Sequence, residues 1–218
     1  MFNAGVISVG GASAPVVPVT WVGGGASRVA TNGASLTVSM PAAAVNGDFL
    51  VAVLAAPVYN DLTLSLTSSG WTKRIDHHVR DDQSVNGINL GVFTKVKTSA
   101  DTSVQATGLI TGADTYLSIA VFRGVNVTTP LDVSMVPGSS QWNYLVLTPS
   151  ITPVTSGSMV YGGSMGSSFF ATGTVPSSLA VRSGSGWINA YGAQRNTTGQ
   201  PGANVSGFGV AYNPSRVS

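Results

Sequence analysis

From Trp21 onward the chain breaks into a succession of short apolar segments, each closed off by Gly, Asn, Pro or Ser, and this pattern limits the fold more than any other feature. "SLTVSM" alternates, with Leu36, Val38 and Met40 on one side, and "LTLSL" alternates again. "INLGVFTKVK" puts Leu90, Val92, Thr94 and Val96 on one face, and "YLSIAVFRGV" groups Leu117, Ile119 and Val121. "DFLVAVLAA" is apolar throughout, as expected of a strand covered on both faces. "NYLVLTPSI", "SMVYGGSM", "GWINAYGA" and "VSGFGVAY" continue the series. Short strands bounded by turn residues predict a sandwich or barrel, and no segment sustains a helical period. The expectation is an all-β fold: an antiparallel β-sandwich, jelly-roll-like, with an extended N-terminal arm.

Residue usage supports the same class. The chain has no Glu and only three Lys, at positions 73, 95 and 97, so the usual material of exposed helix faces is missing. Charged residues make up 8%, against about a quarter in ordinary domains. Strand edges with so little charge are poorly guarded against pairing, and such a surface suits a permanent assembly. A net charge of +2 makes no basic footprint, so nucleic acid is not an expected partner. The absence of Cys excludes a disulfide scaffold and thiolate metal sites. No apolar stretch approaches the length of a membrane-spanning helix.

At 218 residues one domain is the default. Residues 1–18 end in "SAPVVPV", where Pro15 and Pro18 fix φ and remove donors, so they are expected to form an extended arm ahead of a single β-sandwich domain over 19–218. The arm carries Phe2, Val6, Ile7 and Val9, more apolar than a free tail, and these side chains are candidates for docking on a neighbouring subunit. A loose internal echo, "SSGW" at 68–71 and "GSGW" at 184–187, each between Gly-bearing strands, suits a double Greek key or jelly roll as well as shared turn chemistry.

One stretch looks like a site. "TKRIDHHVRDDQ", residues 72–83, holds both histidines and six of the eighteen charged residues, ten basic and eight acidic in all. On a strand, Trp71, Lys73, Ile75, His77 and Val79 share one face and Arg74, Asp76, His78 and Arg80 the other. The histidines then point to opposite sides and cannot chelate one ion together. The polar face becomes a self-compensating ladder, and His77, between Ile75 and Val79, is expected to be a buried or half-buried neutral histidine.

Other chemistry fares no better. "GGSMG" at 162–166 fits the G-x-S-x-G pattern, but after Ser164 the chain has no His, Asp or Glu, and the last acid is Asp132. The eight aspartates, at 48, 61, 76, 81, 82, 101, 114 and 132, mostly sit beside turn residues, and no Asp-x-Asp-x-Asp calcium loop occurs. No catalytic residue, cofactor or metal site is therefore expected. Trp142, Tyr144, Phe169, Phe170 and Tyr191 remain as candidate contacts to a glycan or a partner, by stacking or by gripping.

The order "NGDFLVAVLAA", "SGWTKR", "LGVFTKV", "YLSIAVFRGVNVTTPLD" and "LTPSITPVTSGSMV" resembles a group of β-sandwich domains in bacteriophage virion structural proteins, such as tail or head fibres and capsid decoration proteins. Gly47-Asp48, Gly70-Trp71, Phe122 to Val125, Thr129 to Asp132 and Pro149 to Thr152 carry the likeness, over about residues 45 to 190. Asn126 departs from the commoner Asp, and the second Gly-Trp segment lacks most of the acids of the first. The resemblance implies a non-enzymatic virion component that assembles with other virion proteins and with itself, a trimer being favoured, and supplies no active site. The alternative expectation is a carbohydrate-binding module for host surface glycans.

Overall fold

The computed structural model describes residues 15–29, 35–56, 63–80, 87–107, 115–140, 152–156, 158–166 and 205–216. They form twelve strands: β1 (Val16–Val17), β2 (Thr20–Val29), β3 (Ser35–Ser39), β4 (Phe49–Ala56), β5 (Thr72–Arg80), β6 (Gly87–Val96), β7 (Ser103–Thr107), β8 (Thr115–Arg123), β9 (Leu131–Ser140), β10 (Met159–Gly166), β11 (Val205–Tyr212) and β12 (Ser215–Arg216). Every pairing among them is antiparallel. The all-β, antiparallel sandwich class read from the sequence is the class of the structure.

A five-stranded sheet, in the order β2-β8-β4-β6-β5, lies at the centre. Its middle strand explains the rest. All eight residues of β4 are buried, and they alternate between two cores. Phe49, Val51, Val53 and Ala55 join Leu90, Val92, Phe122, Tyr161 and Tyr212. Leu50, Ala52, Leu54 and Ala56 join Leu36, Val38, Phe93, Val104, Leu117 and Ile119. The first core is closed by a three-stranded sheet, β10-β11-β9, and the second by the pair β3-β7. The sandwich is thus stacked in three layers, with the continuous apolar strand in the middle one.

Alternating segments behave as period two requires. Leu36 and Val38 of β3 face the second core, as do Leu117, Ile119 and Val121 of β8. "LTLSL" buries Leu64 and half-buries Leu66 in that core but is not a ladder strand; Thr67 N, just beyond it, donates to Gln105 O at 2.8 Å. "GGSMG" lies inside β10, where Ser164 is paired with Gly207, so it is extended strand and not a strand-to-helix elbow. "NYLVLTPSI" and "GWINAYGA" lie outside the described residues, as does the second Gly-Trp segment.

Aromatic rings fill the first core at one end of the stack. Phe122 is central, with ring centroids 5.0 Å from Tyr212, 5.2 Å from Tyr161 and 5.5 Å from Trp21. Phe49 meets Tyr212 edge-on at 5.4 Å. Such tilted and edge-to-face pairs add about 1 kcal/mol each beyond the area they bury.

The first and last described strands come together beside this cluster. β1 pairs with β12, Val16 opposite Arg216, within the stretch assigned to the arm; residues 1–14 lie outside the described residues. Ser215 N donates to Gly124 O at 2.7 Å, Asn126 N to Asn213 O at 2.8 Å, and Asn213 N to Pro130 O at 2.8 Å. The "RGVNVTTP" turn is therefore stitched to the C-terminal segment, and Asn126 Oδ1 caps the turn by accepting from Thr128 N and Thr129 N.

Gly124 has φ +82, and a Cβ there would stand 2.6 Å from Pro18 O. Gly47 has φ +89 with nothing within 4 Å of its Cβ position. Gly47→Ala is expected to cost about 1 kcal/mol, the left-handed backbone alone. Gly124→Ala is expected to cost about 2 kcal/mol or more, because the carbonyl must also move. Urea unfolding of the two variants measures the difference.

Candidate functional site

Residues 72–80 of the site-like stretch form β5, an outermost strand of the central sheet, and Asp81, Asp82 and Gln83 lie outside the described residues. The side chains of β5 do not divide as simple alternation predicts. The register to β6 shifts between Lys73, opposite Phe93, and Ile75, opposite Val92, so Arg74 is the extra residue of a bulge. Trp71 and Lys73 are consequently on the second-core side, with Lys73 Nζ 5.6 Å from the centre of the Phe93 ring. Ile75 and Val79 are buried in the first core. Arg74, expected on the polar face, instead donates from Nε to Oγ1 of the buried Thr94 at 2.9 Å. One inserted residue reverses parity, and no residue type in "TKRI" marks it.

Beyond the bulge alternation resumes. His77 pairs with Leu90 and His78 with Asn89, so the two rings are on opposite faces. His77 is half-buried, and burial, reinforced by the adjacent His78, holds its pKa below the ordinary 6.5. On the other face, Asp76 accepts from Lys73 Nζ at 2.9 Å and lies 3.8 Å from His78 Nε2. His78 Nδ1 is hydrogen-bonded to Asn89 Oδ1, and Asn89 Nδ2 reaches Ala56 O at 3.4 Å. The result is a polar string along the strand, from Lys73 through Asp76 and His78 to the buried Asn89.

The remaining described aspartates anchor turns. Asp48, 3% exposed, receives Arg123 through two bonds of 2.8 Å, Nε to Oδ1 and Nη2 to Oδ2, and also Val45 N at 2.8 Å. Nη2 of Arg123 also donates to Ala43 O at 3.0 Å. Asp101 receives Lys95 Nζ at 2.6 Å and the amide and hydroxyl of Thr98, each at 2.8 Å. Lys95 also donates to Ser69 O at 2.9 Å, beside the Gly70-Trp71 turn. Asp132 accepts from Val154 N at 2.8 Å and Thr155 N at 3.2 Å. Burial raises the pKa of all three carboxyls, but these hydrogen bonds outweigh it and leave each below 3.8.

These contacts join the motifs read separately in the sequence. Gly47-Asp48 meets the Arg of "FRGV", and the closing Asp of "TPLD" meets the segment after "PSIT". The residue types were visible; the pairing across 75 positions was not. Of the candidate contact residues, Trp142, Tyr144, Phe169, Phe170 and Tyr191, and the arm residues Phe2, Val6, Ile7 and Val9, all lie outside the described residues. Among the described residues, no three of His, Cys, Asp and Glu come together as metal ligands, and no helix is long and apolar enough to cross a membrane. No family model, curated protein or solved structure matches the chain.

Two outcomes follow from the charges. Arg123→Met leaves a carboxylate buried without its partner, whereas Asp48→Ala leaves an exposed guanidinium in water. Arg123→Met is expected to lower the urea midpoint more at neutral pH, and the gap narrows under acid conditions, where Asp48 takes up a proton.

The pH dependence has two limbs. His77 has a folded pKa below its unfolded 6.5, so its contribution is full above 6.5 and is lost as pH falls towards the folded value. Asp48, Asp101 and Asp132 contribute fully above 3.8 and lose that contribution as pH falls through their lower folded values. His77→Gln is expected to flatten the first limb of the midpoint-against-pH curve and leave the second.

Proposed function

We propose that the protein is a non-enzymatic structural component of a phage virion, a fibre or capsid decoration protein that assembles with itself and with other virion proteins. The observation that carries the reading is the polarity of the stack. Thr20, Phe49, Thr72, Val96 and Arg123 lie at one end of the central sheet, where β1 and β12 also meet. The tight turns at that end are held by Asp48, Asp101 and Asp132. At the other end, 30–34, 81–86 and 108–114 leave and re-enter the strands. Segment 167–204 likewise leaves at Gly166 and returns at its register partner Val205, the end of β11 remote from Tyr212. A domain whose first and last described strands share one end and whose longer connections start from the other suits attachment by the arm and outward display of loops.

Two further features support it. Each of the four described aspartates holds a turn or a neighbouring side chain, a structural use of scarce charge. The strand pairs are nested in sequence, β4 with β6 inside β3 with β7 inside β2 with β8, an order that suits the jelly-roll expectation. The resemblance to virion sandwich domains points the same way, and it favours a trimer located in the virion.

The test is removal of residues 1–14, which leaves β1 and its pairing with β12 in place. The shortened chain is expected to melt as the full chain does, while sedimenting as a smaller species and failing to join particles assembled from the other virion proteins. A full-length chain that stays monomeric at every concentration, with no change on truncation, overturns the reading.

A further inference from the structure

We propose that the charged stretch of β5 is an edge guard, which stops the central sheet from continuing into a second copy of this chain. The proposal does not depend on the virion reading. An outermost strand offers a row of backbone donors and acceptors to any strand that approaches. Among the described residues no strand pairs with the outer side of β5, which is the last in the order β2-β8-β4-β6-β5. In a chain with eighteen charged residues, four of them, Lys73, Arg74, Asp76 and Arg80, occur with both histidines in the nine positions of this strand. The outermost strand on the opposite side, β2, has one charged residue, Arg28, in ten positions.

Geometry adds to charge. The bulge at Arg74 breaks the flat register that a docking strand needs. Arg74 is itself exposed, and its Nε is anchored to Thr94 Oγ1 at 2.9 Å, so its charge is held beside the edge. Lys73 and Asp76 are held together at 2.9 Å while remaining 27% and 33% exposed, so they stand on the edge and are not folded away beneath it. An incoming antiparallel copy of β5 would have to strip water from this pair and from the half-buried His78, and replace none of their contacts. Charges and a bulge are two devices by which edges are blunted, and both occur on this strand.

The experiment compares two variants that both keep the net charge at +2. K73T/D76T removes the pair and substitutes good strand formers; K73D/D76K retains charge at the same positions with the signs exchanged. Sedimentation velocity over a concentration series, with hydrogen exchange of the β5 amides, reads the result. K73T/D76T is expected to form species larger than those of the unmodified chain, with β5 amides more protected in them, while K73D/D76K sediments as the unmodified chain does. The single substitution K73T, which disturbs the strand least, is expected to shift in the same direction by a smaller amount. Absence of any shift in both Thr variants, each melting cooperatively, overturns the proposal. So does equal association of K73T/D76T and K73D/D76K, since charge at the edge would then not be what matters.

Discussion

The structure depends on one strand that has no wet side. β4 pairs with β6 and β8 along its length, so its backbone is satisfied within the sheet, and its eight side chains alternate into two cores. Burying a Val, Leu or Phe side chain stabilises by about 1.5 to 3 kcal/mol, and that gain requires cover on both faces. The β3-β7 pair and the β10-β11-β9 sheet supply it. A two-layer sandwich would leave one row of β4 exposed. The three-layer stack is thus a consequence of "DFLVAVLAA" lacking alternation, and its partners β6 and β8 are likewise buried on both faces along most of their length.

That much was legible before any coordinates. The run over 49–56 was read as a strand covered on both sides, and Leu36 with Val38, or Leu117 with Ile119 and Val121, as single faces; each is so. What could not be read was parity across an irregularity. The bulge at Arg74 places Trp71 and Lys73 on one side and Ile75 and His77 on the other, although spacing alone puts all four together. Bulges of this kind need no Gly and leave no composition signal. "LTLSL" errs differently: its alternation reports burial of Leu64 and Leu66 correctly but not ladder pairing, because period two follows from a covered face and not from hydrogen bonds.

Long-range electrostatics was the other illegible layer. Asp48 and Arg123 belong to two recognisable turn motifs, and the structure makes them halves of one bidentate clamp that ties the start of β4 to the end of β8. Lys95 and Asp101 likewise bind the 97–102 turn to the Gly70-Trp71 turn through Ser69 O. In a chain with so few ions, spending them at strand ends is economical. A carboxylate that accepts several bonds at a tight turn satisfies donors that a glycine-rich loop would otherwise bury unpaired.

The same scarcity gives the distribution of charge its meaning. A surface made mostly of Ser, Thr, Gly and Val packs readily against itself, so control over where it packs must come from the few places that resist. The clamped turns lie at one end of the central sheet, where β1 and β12 also pair. The lateral edge at β5 carries the densest charge in the described chain. The histidines and charges that first look like a catalytic cluster are, on the edge-guard proposal, what blunts the β5 edge of the central sheet.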